Sequence, residues 1–284
     1  MAILLSRPLE NKYKLLATLL PFLLVLVMRK KGGFYYRTIV SNIAMGIAAF
    51  YGMIAALIFP LIGKTHLINW SVARVYYTLG RWLLNISTTI EGKENLDLAA
   101  KKGPAVYVCN HQSSLDVFVM GSVFPKATAV VAKKALKYYP FLGWYMILSN
   151  AIFLDRKNRD SAVKEARQAA QDIHKKKTSV WLYPEGTRGR PLEIDMLPFK
   201  KGAFYMAVQA GVPVVPIVFA NYQNVYNSKG KKFVPGNIKI RVLPPVSTDD
   251  FTEDSASIDK LANHVRDQML VALKEISPVP KIIN

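Results

Sequence analysis

The sequence predicts an α/β protein in which a single domain, with a mixed central sheet flanked by helices, is preceded by an amino-terminal hydrophobic helical membrane region. Two observations predict this fold class. From about residue 86, short runs rich in valine and isoleucine alternate with longer amphipathic segments, which is typical of α/β folds. Before that point, long uncharged runs lie between clusters of basic residues. We therefore divide the chain into residues 1–88, the membrane-associated region, and residues 89–284, the main domain.

The composition limits the classes of protein that the chain can belong to. With 284 residues and 51% hydrophobic side chains, the chain is large enough and apolar enough to bury a sizeable core. Its 38 lysines and arginines against 19 aspartates and glutamates give a net charge of +19, which predicts an anionic partner such as nucleic acid, anionic lipid or a phosphorylated substrate. Cys109 is the single cysteine, which excludes an internal disulfide and a cysteine-rich zinc site.

The amino-terminal region contains two apolar runs. Residues 15–28 lie between basic residues and form a run too short for a membrane span, which needs about 20 residues. This run is interpreted as a signal-peptide core, a re-entrant segment or an interfacial helix kinked at Pro21; no small-residue cleavage site follows it, which disfavours a removed signal peptide. Residues 38–63 are uncharged and long enough to cross a membrane. The alternative for this second run is a buried helix of a soluble core.

The segment that follows the second run supports attachment to a membrane. Residues 67–86 combine aromatic with basic side chains, as expected of a helix at a membrane surface. These side chains are Trp70, Arg74, Tyr76, Tyr77, Arg81 and Trp82. A nucleic-acid-binding protein is disfavoured, because its basic surface is not usually interleaved with long uncharged runs and the sequence contains neither zinc-finger spacing nor an RNP-type aromatic motif.

The main domain contains six predicted strands, which are short, rich in β-branched residues and bounded by turn residues. They are residues 87–92, 105–110, 150–155, 178–184, 212–220 and 238–246. Residues 160–176 are predicted to form an amphipathic helix with one alanine-rich apolar face. A last helix is predicted from Ser255 to about Lys274, and the basic stretch 227–237 is expected to be a solvated loop.

Asn110 and His111 stand at the carboxyl end of one predicted strand, the edge at which open α/β sheets bind ligands. A histidine can accept a proton near neutral pH, and a neighbouring carboxylate can fix its tautomer and stabilise the imidazolium that forms. Asp116 lies five residues after His111, which is about 140° away on a continuous helix. The chain must therefore turn between them for the pair to meet. The pattern predicts His111 as a general base and Asp116 as the residue that orients it.

The same residues also allow a purely structural interpretation. Ser113 and Asp116 fit the S-x-x-D pattern of a capping box, so Asp116 could simply cap a helix, and a histidine at a strand end is more often structural than catalytic. Cys109 could be proposed as a nucleophile, but its strand position without an activating neighbour favours buried packing. Taken alone, the spacing of His111 and Asp116 leaves both interpretations open.

Further polar residues follow other predicted strands. In "LYPEGTRGR", residues 182–190, Gly186 lets the backbone approach a ligand closely and Arg188 presents a planar guanidinium suited to phosphate. Arg156 follows a third strand, and Lys200 and Lys201 stand at a predicted helix start, a position that favours anions. Each of these could be an ordinary surface charge. Their occurrence together indicates a phosphate site at the edge of the sheet.

Four sequence blocks carry a resemblance to a known family. The blocks "NHQSSLD", "FLDR", "YPEGTR" and "VPVVPI", in this order and at these separations, resemble those of the glycerolipid acyltransferases, specifically the 1-acyl-sn-glycerol-3-phosphate acyltransferases. The match spans about residues 90–220, and the first and third blocks are specific in combination. Tyr183 stands where the family usually has phenylalanine, and we expect this departure not to touch a reacting group.

The resemblance implies a reaction and roles for the polar residues. The implied reaction transfers a fatty acyl group from acyl-CoA to the sn-2 hydroxyl of lysophosphatidic acid, giving phosphatidic acid and CoA in phospholipid biosynthesis. His111 would be the general base, and Asp116 would orient it. The reaction would require no metal, no other cofactor and no acyl-enzyme. The acceptor site would comprise Arg156, Glu185, Gly186, Thr187, Arg188 and Lys200.

Other functions remain open at this point. The same fold could act on another acceptor, either glycerol 3-phosphate or a lysophospholipid, or the chain could be a non-enzymatic membrane-bound phospholipid carrier. The resemblance also implies a membrane location, the endoplasmic reticulum in a eukaryote or the cytoplasmic membrane in a bacterium. The expected partners are lysophosphatidic acid, acyl-CoA and the lipid bilayer, and not nucleic acid.

Overall fold

A computed structural model describes residues 6–149, 151–154, 159–189 and 194–278 of the chain. In these residues the strands are β1 Ile86–Glu91, β2 Val106–Cys109, β3 Thr128–Lys133, β4 Ile152–Leu154, β5 Ser179–Leu182, β6 Val214–Phe219, β7 Tyr226–Asn227, β8 Lys232–Phe233 and β9 Gly236–Val242. The α-helices are α1 Ser6–Lys31, α2 Phe34–Ile58, α3 Ile68–Leu84, α4 Glu94–Lys102, α5 Asp116–Met120, α6 Leu142–Leu148, α7 Arg159–Lys176, α8 Gly202–Gln209 and α9 Ser255–Ile276. Short 3₁₀ helices lie at Phe59–Ile62, Thr65–Leu67 and Lys134–Tyr138.

Seven of these strands form one mixed sheet, which confirms the predicted fold class. Their order is β1-β9-β6-β2-β5-β3-β4. β6, β2, β5, β3 and β4 run in the same direction, whereas β9 is antiparallel to β6 and parallel to β1. Every predicted run overlaps a strand of this sheet.

Two strand regions were not predicted. β3 has the sequence "TAVVAK", in which alanine and lysine favour a helix as readily as valine favours a strand. Pairing with β5 and β4 decides its conformation. The stretch 227–237, expected to be a solvated loop, contributes to the short antiparallel pair β7 and β8, because Phe233 is buried in the core.

Helices cover both faces of the sheet. Along β2, Tyr107 and Cys109 face the layer that contains α2, α3 and α5, whereas Val106 and Val108 face the layer that contains α7, α8 and α9. This alternation is expected of a strand that is buried on both faces. Helices α7 and α9 confirm the two helices predicted from periodicity.

Helix α1 contains the first amino-terminal apolar run, and α2 together with the 3₁₀ helix Phe59–Ile62 contains almost all of the second. In the described part of the chain, one helical segment, residues 34–62, is long and apolar enough to cross a membrane. Helix α2 buries a row of small residues, which comprises Ala44, Ala48, Ala49, Gly52, Ala55 and Ala56. Its opposite side exposes large apolar residues, among them Ile39, Ile43, Ile47, Phe50 and Ile54. The helix therefore packs on the domain with one side and leaves an apolar side uncovered.

The segment 67–86, which was expected to be a helix at a membrane surface, forms helix α3. This helix is also part of the core. Its residues Ile68, Val72, Tyr76 and Leu84 are buried in the same cluster as the residues of β2 and α5. The core thus extends across residue 88, the predicted boundary between the membrane region and the main domain, and β1 already begins at Ile86. That boundary stays a prediction.

One buried arginine connects the three amino-terminal helices. Arg37 on α2 is fully buried, and its Nε donates a hydrogen bond of 2.8 Å to the carbonyl of Gly32 after α1. Its terminal nitrogens donate to the carbonyls of Arg29 in α1 and Leu84 in α3. A cation among the free carbonyls of a helix end is favourable, so Arg37 fixes the ends of α1 and α3 against α2.

Candidate active site

The candidate site lies where three neighbouring parallel strands end. β6, β2 and β5 are adjacent in the sheet and run in the same direction, so the segments that follow them meet at one edge. These segments are residues 110–116, 183–189 and 220–222. This is the edge at which open α/β sheets bind ligands. Polar residues from three distant parts of the sequence therefore come together there.

The side chain of Asn110 extends the sheet beyond the end of β2. Its Nδ2 donates to the carbonyl oxygen of Phe219 at 2.9 Å, and its Oδ1 accepts from the backbone N–H of Phe219 at 2.8 Å. Gln112 Nε2 donates to the carbonyl oxygens of Phe219 and Ala220. These bonds fasten the turn that follows β2 to the end of β6, and so fix the position of His111 between them.

His111 and Asp116 meet as predicted from their spacing. The chain turns between them, and His111 Nδ1 lies 2.7 Å from Asp116 Oδ2. The aspartate side chain is completely buried, whereas the imidazole keeps 16% of its surface exposed. Because Nδ1 faces the carboxylate, Nε2 is the ring nitrogen that can meet a substrate. The roles of base and orienting carboxylate stay predictions, and this contact is the one that they require.

Asp116 is the first residue of α5, and its side chain closes the turn before the helix rather than capping the helix, as the structural interpretation had expected. Its Oδ2 accepts hydrogen bonds from the backbone N–H groups of Gln112 at 2.6 Å and Ser113 at 2.9 Å. Ser113 Oγ in turn accepts from the N–H of Leu115 at 2.9 Å. One carboxylate therefore both closes the turn and holds the imidazole.

Tyr222, which the sequence analysis missed, binds the second oxygen of the same carboxylate. Its hydroxyl donates to Asp116 Oδ1 and lies 2.8 Å from Ser113 Oγ. Tyr222 is buried, and this burial, together with the charge of Asp116, raises the pKa of its hydroxyl well above the usual value, so the group remains a hydrogen-bond donor. The available signal was weak, since Tyr222 follows β6 by three residues without belonging to a recognisable motif.

The segment after β5 surrounds His111 from the other side. The Tyr183 ring stacks on the imidazole with ring centroids 4.2 Å apart and planes at 21°, and the N–H of Gly189 donates to the carbonyl oxygen of His111 at 2.7 Å. Tyr183, which was expected not to touch a reacting group, therefore contacts the residue that is predicted to be the general base. A phenylalanine could form the same stack, which explains why either aromatic residue suits this position.

Glu185 faces the protein interior and contacts the backbone. One carboxylate oxygen accepts from the N–H of His111 at 2.6 Å and the other accepts from the N–H of Leu197 at 3.0 Å. Burial raises the pKa of Glu185, and the two backbone hydrogen bonds oppose this rise. The contact with the acceptor that the resemblance implied for Glu185 stays a prediction. The observed contacts make it a residue that positions His111.

The turn after Glu185 presents basic and polar residues to solvent. Gly186 has a φ of 70°, a left-handed conformation that favours glycine. A Cβ at this residue would lie 2.9 Å from Lys200 Nζ, so the lysine side chain packs directly over the glycine. Thr187 and Arg188 are exposed on the same turn. Lys200 and Arg188 thus stand beside the segment that contacts His111.

The predictions for the two remaining basic residues, Lys201 and Arg156, turn out differently. Lys201 lies at the start of α8, as predicted, but its Nζ binds Asp259 Oδ2 at 2.6 Å and Ser255 Oγ at 2.7 Å. Lys201 therefore connects α8 to α9. Arg156 lies outside the described residues, and its role in the site stays a prediction.

Cys109 is buried behind the site, as expected. Its thiol lies 3.8 Å from Asn110 Oδ1, and burial raises its pKa well above the usual value. A thiol in this environment stays protonated and is a poor nucleophile. Cys109 is therefore a packing residue.

Comparison with known proteins shows clear similarities. Residues 87–220 match the family model of the acyltransferases. The chain is 43% identical to a 1-acyl-sn-glycerol-3-phosphate acyltransferase of Saccharomyces cerevisiae, over 88% of this chain and 80% of that protein. It is 39% identical to the 1-acyl-sn-glycerol-3-phosphate acyltransferase alpha of Mus musculus, over 74% of this chain and 71% of that protein. The fold is similar to a crystal structure of a 1-acyl-sn-glycerophosphate (LPA) acyltransferase from Thermotoga maritima, with a TM-score of 0.67 and 24% identity over 85% of this chain and 94% of that chain.

The contacts of Glu185 predict a loss of stability when its carboxylate is removed. Glu185→Leu leaves the N–H groups of His111 and Leu197 without an acceptor, and each unsatisfied donor costs about 1–3 kcal/mol. We expect the free energy of unfolding in detergent micelles to fall by on the order of 3 kcal/mol. The control Glu94→Leu, on the exposed first turn of α4, should cost less than about 1 kcal/mol. Equal losses in the two variants would contradict the positioning role.

Proposed function

The chain belongs to the acyltransferase family, and from this membership we propose that it transfers a fatty acyl group from acyl-CoA to the sn-2 hydroxyl of 1-acyl-sn-glycerol 3-phosphate. The products are phosphatidic acid and CoA. The yeast and mouse relatives, which are named for acylation of this acceptor, support the proposal. The observation that carries the chemistry is the contact between a partly exposed imidazole and a buried carboxylate at the ligand-binding edge of the sheet.

In the proposed mechanism His111 is the general base. Nε2 removes the proton from the sn-2 hydroxyl as its oxygen attacks the carbonyl carbon of the thioester. Asp116 stabilises the imidazolium that forms, and it fixes the tautomer in which Nε2 can accept a proton. The tetrahedral intermediate then collapses, the carbon–sulfur bond breaks, and the thiolate of CoA leaves with the electron pair. The imidazolium returns the proton to the thiolate, which restores the resting state of the site.

This route requires neither a metal nor an acyl-enzyme. A thiolate is a good leaving group, so the alkoxide can displace it directly without activation of the thioester carbonyl by a Lewis acid. Cys109 is the side chain that could have formed a thioester with the acyl group, but its buried, neutral thiol makes that alternative unfavourable. Acyl-CoA is accordingly a cosubstrate, and no cofactor is included in the proposal.

The acceptor's phosphate would bind to the basic residues beside the site. Arg188 presents a guanidinium that can form two parallel hydrogen bonds to a phosphate, and the ammonium of Lys200 lies next to Gly186, two residues before Arg188. Thr187 adds a hydroxyl on this turn. Arg156 is included on the basis of the sequence motif alone. Binding the phosphate at these residues would hold the sn-2 hydroxyl near Nε2.

The proposal includes a membrane location, in the endoplasmic reticulum of a eukaryote or the cytoplasmic membrane of a bacterium. Support comes from the apolar helical segment 34–62 and from the uncovered apolar side of α2. Attachment there would let the acyl chain of lysophosphatidic acid remain in the lipid while its polar end reaches His111. Membrane attachment is thus part of the proposed mechanism.

The direct test supplies both substrates to the purified full chain. In mixed micelles of lysophosphatidic acid with oleoyl-CoA, we expect equal formation of free CoA and phosphatidic acid. Release of CoA without phosphatidic acid would indicate a thioesterase, and transfer to glycerol 3-phosphate or to a lysophospholipid in a parallel panel would identify another acceptor. Binding of phosphatidic acid without release of CoA in any assay would favour the phospholipid carrier.

Replacement of the proposed base should abolish most of the turnover. His111→Ala removes the proton acceptor, and loss of a general base typically lowers kcat by about 10² to 10⁴-fold. The measurement is the rate of phosphatidic acid formation at saturating substrates. His264→Ala, on the exposed side of α9, is the matched control and should retain the full rate. Near-normal activity of purified His111→Ala would rule out the mechanism.

Loss of the Tyr222 hydroxyl, which donates to Asp116, should affect turnover more than substrate binding. Tyr222→Phe removes the donor to Asp116 Oδ1, and a hydrogen bond to a charged group contributes about 1.5–3 kcal/mol. We expect kcat to fall by roughly tenfold or more while KM for both substrates changes little. Tyr226→Phe is the control, because its hydroxyl contacts Ser114 rather than Asp116. An unchanged kcat in Tyr222→Phe would remove this residue from the positioning of the base.

Arg188 should discriminate between the two substrates. Arg188→Lys replaces a bidentate donor by a point charge, so we expect KM for lysophosphatidic acid to rise by roughly tenfold, the equivalent of one charge-assisted hydrogen bond. KM for acyl-CoA should rise much less. Arg167→Lys, exposed on α7, should leave both constants unchanged. Equal increases for the two substrates would place Arg188 outside the phosphate site.

A further inference from the structure

We propose that the connection between β3 and β4 is a second contact with the lipid bilayer, separate from the amino-terminal helices. This connection, called here the aromatic crossover, comprises residues 134–148, that is, the 3₁₀ helix Lys134–Tyr138, a short turn and α6. The partner that contacts its outer surface is a phospholipid bilayer. The inference rests on the proposed function only in so far as that function requires a membrane.

The aromatic crossover exposes an unusual number of large apolar side chains. Tyr138 is 75% exposed and Trp144 is 52% exposed. Four further residues of the segment are also exposed, namely Tyr139, Phe141, Ile147 and Leu148. Single exposed apolar residues are normal in soluble proteins, but a contiguous group indicates an interaction site.

These side chains project from a well-packed segment. Tyr145 of α6 is buried, and its hydroxyl donates to Asn69 Oδ1 of α3 at 2.7 Å. The Tyr145 ring lies against Gly52 of α2, where a Cβ would come within 2.7 Å of it. Gly143 is similarly close to the carbonyl of Lys137. The crossover is therefore fixed on its inner side, and its outer apolar side is presented by a defined structure.

The exposed surface of the crossover continues the uncovered side of α2. The ring of Phe141 contacts the ring of Phe50 edge to face, with centroids 6.2 Å apart, and Phe50 is itself 53% exposed on α2. Helix α2 belongs to the segment that is apolar and long enough to cross a membrane. A lipid phase that covers α2 beside Phe50 would therefore reach the crossover without a break in the apolar surface.

The charges of the segment identify its partner. Lys133, Lys134 and Lys137 lie beside the exposed aromatic residues, and no aspartate or glutamate occurs between Asp116 and Asp155. Tyrosine and tryptophan together with lysine are typical of membrane interfaces, where lysine attracts anionic lipid headgroups. A purely apolar surface would suit a second protein copy equally well. The basic and aromatic combination favours the bilayer.

The location of the crossover connects it to the site. β3 is parallel to β5 and β2, so the crossover leaves the sheet at the same edge from which the segments around His111 emerge. Contact of the crossover and of α2 with one lipid surface would fix two sides of the domain. The domain would then be held in a single orientation, with the site edge next to the lipid that contains the acceptor.

A spin label can test this contact in the intact chain. Cys109 is buried, and its pKa is raised, so Trp144→Cys and Val271→Cys each offer one reactive thiol. Val271 is 58% exposed on α9, which packs on the opposite face of the sheet, and it serves as the matched control. Both labelled proteins are reconstituted into vesicles of phosphatidylcholine with a minority of phosphatidic acid. The collision rates of each label with oxygen, which enters lipid, and with a water-soluble nickel chelate are then compared.

We expect the ratio of oxygen to nickel collisions to be several-fold higher at residue 144 than at residue 271. Equal ratios at the two residues would overturn the proposal. A label at 144 that is shielded from both reagents, with spin–spin broadening that disappears on dilution with unlabelled chain, would show a second copy on this surface and would also overturn it. The activity of both labelled variants is measured in parallel, so failure of the acyl transfer is distinguished from failure of the lipid contact.

Discussion

The buried carboxylate of Asp116 is the group on which the geometry of the site depends. It accepts hydrogen bonds from His111, from the backbone of Gln112 and Ser113, and from Tyr222. These donors belong to two segments that follow different strands of the sheet. A buried carboxylate is costly unless it is fully hydrogen-bonded, and here every bond that satisfies it also orders part of the site. The turn, the imidazole and the end of β6 are thereby fixed relative to one another.

A second set of contacts holds His111 through its backbone and one face of its ring. Glu185 accepts from its N–H, Gly189 donates to its carbonyl, and Tyr183 covers one face of its ring. The "YPEGTR" block thus combines two tasks within a few residues. Its inward-facing members position His111, and its outward-facing members, Thr187 and Arg188, remain available to an anionic substrate. Under the proposed function, this division would let one short motif link phosphate binding to the placement of the base.

The amino-terminal helices are joined to the main domain by packing as well as by the chain. The small residues of α2 allow α3 and α6 to approach closely, and Arg37 connects the ends of α1 and α3. The apolar surface of α2 and the edge that contains His111 therefore belong to one packed body. Under the proposed function, this union would set the distance between His111 and the membrane surface.

The sequence by itself determined the fold class, most of the strands, the two apolar runs and the pairing of His111 with Asp116. These features depend on periodicity and on short motifs, which are local properties of the chain. Only the tertiary structure decided that "TAVVAK" is a strand, that Glu185 points inward, that Tyr183 stacks on the imidazole and that Tyr222 binds Asp116. Each of these is a contact between residues that are distant in the sequence. Such contacts have no periodic signal, because they arise only when the sheet brings the ends of its parallel strands to the same edge.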